Sequence, residues 1–195
     1  MKRKANNKPS GITSLKRVSI MNILMTILTL VLTVGVNGSN EEKVDKANFI
    51  THLVFLDLEV DGEYLGRIEL GLFGKVAPKA AENFAALTDG TAGIGKNGKP
   101  LHYKGNVFHR IIPGMLAQAG DIIYENGTGG ESIYGQYFED ESYKVKHKKK
   151  YQLALANYGK NMNNSQFFIS LGANPQLNGK YVAFGRVTKG KKVVD

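Results

Sequence analysis

Hydrophobic and polar side chains alternate along two neighbouring stretches of the chain. The first covers residues 51–60, with a hydrophobic side chain at every second position from Val54 onward, and the second covers residues 64–73. A period of two is typical of a strand with one buried face, and Asp61-Gly62, which separates the stretches, suits a two-residue turn. The pattern therefore predicts a β-hairpin.

The hydrophobic period changes after Pro78. Ala81, Phe84 and Ala85 are spaced so that they share one face of a helix. Proline is favoured in the first turn of a helix and glycine just beyond its end, where Gly90 follows Asp89. One helix is predicted between this proline and this glycine.

The remaining pattern predicts short strands joined by turns. Residues 91–105, which contain four glycines and one proline, are expected to form a long surface loop. Further strands are predicted over residues 107–112, 115–119, 151–157, 165–170 and 181–187. The 23 glycines of this 195-residue chain favour many tight turns. We expect one mainly antiparallel β domain with an appendage.

Two of these strands, residues 107–112 and 115–119, flank Pro113-Gly114, which is a strong turn signal. Arg110 is unusual in this hairpin because its permanent cation stands among hydrophobic neighbours. It is either an outward-facing residue of a half-buried strand or a functional residue, and the local sequence leaves both interpretations open.

The first 38 residues differ in composition from the rest. Residues 1–38 contain no acidic side chain, and their six basic side chains all precede an apolar run over residues 20–36. The small residues around Gly38 suit cleavage. This layout is typical of a secretory signal peptide, although the run is just long enough for an uncleaved signal anchor. Residues 39–50 are expected to form a flexible lead into a domain over residues 51–195.

Removal of that segment would change the charge of the chain. The formal net charge is +9, and because residues 1–38 contribute six positive charges, residues 39–195 carry +3. Lysine-rich runs remain at residues 144–150 and 189–192, without interleaved aromatic side chains. Such runs are usually solvated loops, so no nucleic-acid partner is expected. The absence of cysteine excludes disulfides, thiolate nucleophiles and cysteine-based metal sites.

Several blocks occur in a fixed order between residues 51 and 195. They are FHRIIPG followed by Gln118, YENGTGG, SIYGQYFEDE, LALANYG with NSQFFIS, and LNGKYVAFGRV. In this order they resemble the cyclophilins. The resemblance implies an antiparallel β-barrel capped by helices and peptidyl-prolyl cis-trans isomerase activity on proline-containing polypeptides, without metal or cofactor.

The chemistry of this reaction suits Arg110. Rotation about the bond before proline faces a barrier of about 18–20 kcal/mol, because amide resonance must be broken. A donor directed at the prolyl nitrogen opposes that resonance, and a guanidinium is a permanently charged donor. We therefore predict that Arg110 is the catalytic residue, acting as electrostatic stabiliser of the twisted bond.

The resemblance also implies the substrate-binding residues. The proline pocket is expected to be lined by Phe108, Met115, Leu116, Phe168 and Leu177. The peptide is expected to be held beside it by Gln118, Ala156, Asn157, Gln166 and Tyr181. The alternative for the apolar members is ordinary core packing, which strand alternation favours for Phe167 but not for Phe168.

This sequence departs from the commonest family pattern in the pocket. Met115-Leu116 replace a frequent Phe-Met, Gln176 stands in the place of a frequent Trp, and Tyr181 in that of a His. We expect turnover with an altered substrate preference and weakened cyclosporin binding. The family pattern continues beyond residue 195, so the C-terminal helix and the closing strand of the barrel are expected to be missing.

Two functions from different classes follow. The first is an isomerase that accelerates folding in the secretory pathway, either in the lumen of the endoplasmic reticulum or secreted, or anchored to the membrane by residues 20–36. The second is a module that binds proline-containing segments, in the manner of a chaperone, with little turnover.

The catalytic interpretation makes a geometric demand on the central hairpin. The length of the connection at Pro113-Gly114 decides which residue stands opposite Arg110. Only a three-residue connection, or an equivalent bulge, places Arg110 opposite Gln118 on one face. We predict this irregular turn, with positive φ at Gly114 and with Leu116 and Phe168 facing the same groove.

Overall fold

Residues 18–21 and 48–195 are described in a computed structural model of the chain. Its strands are β1 Val18–Met21, β2 His52–Val60, β3 Glu63–Leu72, β4 Arg110–Ile112, β5 Leu116–Ala119, β6 Gln152–Asn157, β7 Asn163–Ser170 and β8 Ala183–Lys189. Its α-helices are α1 Pro78–Asp89 and α2 Lys191–Val194, and Pro175–Leu177 form a 3₁₀ turn. The predicted leader lies outside the described residues, except for β1.

All strand pairs are antiparallel and follow the order β1-β2-β3-β8-β6-β7-β5-β4. The sheet curls into a half-barrel, which confirms the predicted cyclophilin-like β architecture. Among the described residues, β1 and β4 are the two ends of the order. β1 pairs with β2 from Val18 opposite Val60 to Met21 opposite Asp57.

The first predicted hairpin is formed by β2 and β3. Asp61 and Gly62 have φ values of 54° and 84°, as a tight hairpin turn requires. One charged side chain of this hairpin, Asp57, is buried, at 5% exposure. Arg67 compensates for this burial by donating two hydrogen bonds of 2.7 Å to its carboxylate. The bidentate pair satisfies the buried charge.

The predicted helix is α1. Pro78 occupies its first turn, and Gly90, at φ 74°, donates its backbone N–H to Ala86 O over 2.9 Å. Its apolar face covers the concave side of the sheet, with the Phe84 ring 4.9 Å from that of Phe167 and 5.4 Å from that of Phe184. Edge-on aromatic contacts of this kind stabilise the main core.

The predicted surface loop over residues 91–105 is wrong at its C-terminal end. Leu101 and Tyr103 are 6% and 1% exposed, and Tyr103 donates its hydroxyl to Ser165 O over 2.5 Å. Glycine and proline signals marked the turns correctly, but they do not show that the last residues of this segment return to the core beneath α1.

The described chain ends in a short helix, α2, at residues 191–194. It follows Gly190, whose φ is 80°, and its Val193 and Val194 pack partly buried against the main core. Burial of these two side chains explains why the last residues turn back onto β3.

Candidate active site

The turn between β4 and β5 has the predicted geometry. Ile112 pairs with Leu116 and Arg110 with Gln118, so three residues, Pro113 to Met115, connect the strands. Gly114 has φ 72°, which the left-handed position of such a turn favours. The register prediction is therefore confirmed, and Arg110 and Gln118 share one face of the hairpin.

A line of side-chain hydrogen bonds begins at Arg110. Its Nη1 donates to Gln118 Oε1 over 3.3 Å, and Gln118 Nε2 donates to Gln166 Oε1 over 2.8 Å. Gln118 stands opposite Phe168 on β7, so the amide and this ring lie side by side. The guanidinium itself is exposed, as a group that meets a ligand from solution must be.

Gln166 is 2% exposed and is fully engaged within the protein. Its Nε2 lies 2.6 Å from Gly129 O, 3.1 Å from Gly127 O and 2.8 Å from Tyr158 Oη. A side chain held in this way orients Gln118 through its Oε1. The sequence analysis assigned Gln166 to direct contact with the peptide. In this geometry Gln166 instead positions Gln118.

Tyr158 is a residue of this site that the sequence analysis missed. Its hydroxyl accepts from Gln166 Nε2 and donates toward Gly127 O, 2.7 Å away. The side chain therefore bridges from the end of β6 to the loop over residues 125–130. Nothing in the sequence identified Tyr158 as a site residue, because a tyrosine that follows a strand is equally common on a surface without a functional site.

The segment that supplies the carbonyls of Gly127 and Gly129 is organised around Asp121. Its carboxylate accepts five backbone N–H bonds of 2.8 to 3.2 Å, from Ile123, Tyr124, Asn126, Gly127 and Gly129. Burial alone would raise the pKa of Asp121, but these hydrogen bonds outweigh it and hold the pKa below its usual value. A charged Asp121 thus fixes the loop that holds Gln166.

The apolar side of the site is a second core cluster, separate from the main one. Four of the five predicted pocket residues meet there, namely Leu116, Phe168, Leu177 and, packed against them, Met115. Ala156 and Tyr181, which were expected to hold the peptide, belong to the same cluster. The ring of Tyr181 stands edge-on to that of Phe168 at 5.7 Å. Phe167 packs in the main core and Phe168 in this second cluster, so the two rings lie on opposite faces of β7 as strand alternation predicted.

Phe108 is not part of this cluster. It belongs to the main core, where its ring lies 6.0 Å from that of Phe167 in an edge-on contact. The expectation that Phe108 lines the proline pocket is therefore corrected. Phe108 lies two residues before Arg110 and just outside β4, where the irregular backbone breaks the strict alternation of faces.

Asn157 lies at the end of β6, next to Ala156, as predicted. Its Nδ2 donates to Lys180 O over 2.8 Å and its Oδ1 accepts from Gly159 N over 3.2 Å. These bonds tie β6 to the segment before β8. Its side chain is thus partly used within the protein.

His147 lies behind the groove and was missed as a support for it. It is 1% exposed, and its ring stacks on Phe168 with centroids 6.0 Å apart. Because Nε2 lies 3.0 Å from Tyr181 O, which can only accept, Nε2 carries the proton. Burial lowers the pKa of His147, and Nδ1 has no partner that could stabilise a second proton.

Within residues 18–21 and 48–195, no group of three or more His, Cys, Asp or Glu side chains is arranged to hold a metal ion. No helix within them is long and apolar enough to cross a bilayer.

The fold and this arrangement of Arg110, two glutamines and an apolar cluster define a class of protein. Residues 55–195 match the sequence model of the family described as cyclophilin type peptidyl-prolyl cis-trans isomerase/CLD. The match covers most of the chain, which therefore belongs to the cyclophilin family.

One relative can be named. Peptidyl-prolyl cis-trans isomerase 9 of Caenorhabditis elegans is 54% identical over 143 residues, which make up 73% of this chain and 46% of the relative. The chain thus spans about half the length of the curated relative it matches.

Proposed function

We propose that this chain is a peptidyl-prolyl cis-trans isomerase that accelerates protein folding. The observation that carries the proposal is the position of Arg110, whose exposed guanidinium is oriented by Gln118, which stands opposite Phe168 of the apolar cluster. A proline ring would enter the pocket formed around Phe168 and Leu116. The family match and the curated relative support the same reaction.

The geometry suggests how the barrier is lowered. Rotation about the bond removes the resonance that delocalises the prolyl nitrogen lone pair, so this nitrogen becomes a better acceptor as the bond twists. Arg110 would donate to it in the twisted state only. Because Gln118 holds the guanidinium beforehand, little reorganisation is needed when that state forms.

The substrates we propose are exposed proline-containing segments of other polypeptides. The walls of the pocket are apolar, and Gln118 beside it is uncharged, so the site selects for the ring rather than for a charged neighbour. Cyclophilins bind cyclosporin, and exposed Gln176 offers this ligand a smaller apolar surface than an indole. We therefore expect weak cyclosporin binding.

For the place of action, we propose the secretory pathway. The support is the basic lead of residues 1–17 followed by the apolar run of residues 20–36. Translation with microsomes tests this proposal. Import with cleavage near Gly38 would support a signal peptide, import without cleavage would support an anchor, and absence of import would contradict both.

The activity is tested by a protease-coupled isomerisation assay on a short peptide with a bond before proline. We expect a rate above the uncatalysed one, which has a time constant of tens to hundreds of seconds. Arg110→Ala is the matched inactive variant. Peptide binding without any rate enhancement would instead support the second candidate, a proline-segment binding module, which the altered residues Met115 and Leu116 favour.

A further inference from the structure

A cationic cavity lies beside the segment of residues 144–150, which we call the lysine loop. The cavity has a volume of about 540 Å³. Seven cationic side chains line it, those of Lys144, Lys146, Lys148, Lys149, Lys150, Arg186 and Lys191. The lysine run was expected to be a solvated loop, and its lysine side chains are exposed, but they also line one concave site.

The lysine loop is held in place by its backbone and by two buried side chains, Val145 and His147. Gln152 accepts from Lys149 N over 3.0 Å and donates to Lys146 O over 2.8 Å. His147 N donates to Asn178 Oδ1 over 2.8 Å, while its ring is buried against Phe168. The lysine side chains on either side of His147 therefore point outward from a fixed backbone.

The positive charge of the cavity is largely uncompensated. Lys150 forms an ion pair of 2.6 Å with Asp195, whereas Lys144, Lys146, Lys148 and Lys149 form none with any described residue. Like charges gathered around one cavity repel each other, and an anion relieves that repulsion. A cavity with this field is a binding site for negative charge.

We propose that this cavity binds a compact anion that carries several phosphate groups, either free in solution or as the headgroup of a lipid. Its volume lies in the range of about 300–1,000 Å³ that is typical of small-ligand sites. Lysine ammonium groups, with three donors each and no fixed plane, suit phosphate oxygens that point in several directions.

Other anionic partners fit the cavity less well. An extended acidic peptide would make better use of an open stripe of charge than of a concave site. Single-stranded nucleic acid is held by exposed aromatic side chains on which its bases stack. Tyr151, which lines the cavity, has the Lys150 and Lys191 ammonium groups 5.0 Å and 5.4 Å from its ring centre.

The test is calorimetric titration of the full chain with sodium tripolyphosphate. The cavity variant carries Lys146→Gln, Lys148→Gln and Lys149→Gln. The matched control carries Lys99→Gln, Lys104→Gln and Lys160→Gln, which removes the same charge from exposed positions outside the cavity. We expect about tenfold or greater loss of affinity in the cavity variant only, with the melting temperature of the free protein unchanged in both variants.

Vesicles of phosphatidylcholine with and without phosphatidylinositol bisphosphate distinguish the two sources. Binding to the vesicles that contain phosphatidylinositol bisphosphate, as well as to tripolyphosphate, supports a lipid headgroup as the ligand. Binding to tripolyphosphate alone supports a free anion. Equal losses in the cavity and control variants would overturn the proposal, because attraction would then be due to net charge. Tight binding of polyglutamate or of an oligonucleotide, with none of tripolyphosphate, would overturn it as well. Isomerase activity is not a readout here, so failure of this proposal is separate from failure of the proposed function.

Discussion

Arg110 and Gln118 stand directly opposite each other on β4 and β5, with Nη1 of the arginine 3.3 Å from Oε1 of the glutamine. This pairing depends on a connection of three residues, since a loop one residue shorter or longer would send Gln118 to the other face. The guanidinium is thereby oriented by a neutral acceptor, which leaves its full positive charge available to a ligand.

Replacement of Arg110 tests its catalytic role. We expect Arg110→Ala to lower kcat/KM by about 10²- to 10³-fold, as removal of one preorganised donor does elsewhere. Because the side chain is exposed, the free energy of unfolding should change by no more than about 0.5 kcal/mol. The measurements are the coupled isomerisation assay and urea unfolding.

Arg186→Ala, which removes an exposed cation on β8, is the control for charge. It should leave kcat/KM unchanged. A loss of stability in Arg110→Ala that accounts for the loss of activity would make Arg110 a structural residue instead.

Tyr158→Phe tests whether the hydroxyl that meets Gln166 matters for catalysis. The change keeps the ring and removes the hydroxyl, and with it the 2.8 Å hydrogen bond from Gln166 Nε2 and the 2.7 Å hydrogen bond to Gly127 O. We expect the less well oriented Gln166 to lower the stabilisation of the transition state by about 1 kcal/mol, which corresponds to roughly a fivefold fall in kcat/KM. A purely structural role would lower the melting temperature without changing kcat/KM at a temperature where the protein is folded. Tyr124→Phe, on an exposed tyrosine, is the matched control and should have no effect.

Gly120→Ala should destabilise the protein and disturb the paired glutamines. Gly120 has φ 91°, and an added Cβ would lie 2.3 Å from Ser165 O. The left-handed conformation costs about 1–2 kcal/mol for alanine, and the clash adds about 1–3 kcal/mol. Gly105→Ala, at φ 78° with open space around it, isolates the first cost. The measurement is urea unfolding. Equal destabilisation of the two variants would show that β5 and β7 move apart enough to accommodate the added Cβ without a clash.

Stability should fall on mild acidification, in part because of His147. Its folded-state pKa is lowered by burial, so the unfolded chain binds the proton more readily. The contribution of neutral His147 to the free energy of unfolding is fully present above the pKa of this histidine in the unfolded chain, which is about 6.5. It is lost as the pH falls from there toward the pKa of His147 in the folded protein. His102 and His109, whose pKa values are also lowered, add to the same trend.

His147→Gln separates the contribution of this residue, since glutamine keeps a donor for Tyr181 O and does not titrate. The dependence of unfolding free energy on pH below about 6.5 should be shallower by up to one proton than in the parent. An unchanged slope would assign the whole effect to the other two histidines.

Gln176→Trp should raise the affinity for cyclosporin. Gln176 is exposed in the 3₁₀ turn, next to Leu177 of the apolar cluster. An indole there adds apolar contact area and an N–H donor at the edge of the pocket. Fluorescence titration measures the dissociation constant, and an unchanged value would place this position outside the ligand's reach.

The parts of the fold that local chemistry dictates were predictable. The turn at Asp61-Gly62, the proline at the start of α1 and the glycine after it are set by backbone preferences of single residues. The register around Arg110 was also predictable, because a shift by one residue would reverse the faces of the strand.

What failed depends on tertiary contacts. Tyr103 follows a glycine-rich segment, and nothing local shows that its hydroxyl meets Ser165 O across the core. Phe108 was placed in the pocket by resemblance, whereas its ring fills space beside Phe167. The bridging role of Tyr158 depends on a loop that Asp121 organises, and the loop carbonyls that Tyr158 contacts lie 29 to 31 residues earlier in the sequence.

The strand that carries Arg110 has a consequence for how the protein responds to heat. β4 is three residues long, is last in the strand order of the described part, and is paired there with β5. Short strands at a sheet edge open locally at a lower free energy than the core unfolds. The amide hydrogens of β4 should therefore exchange with solvent faster than those of β7, whose residues are all buried. On warming, the guanidinium loses its alignment while the core is still intact, so the upper working temperature is set by fraying of this edge and lies below the melting point.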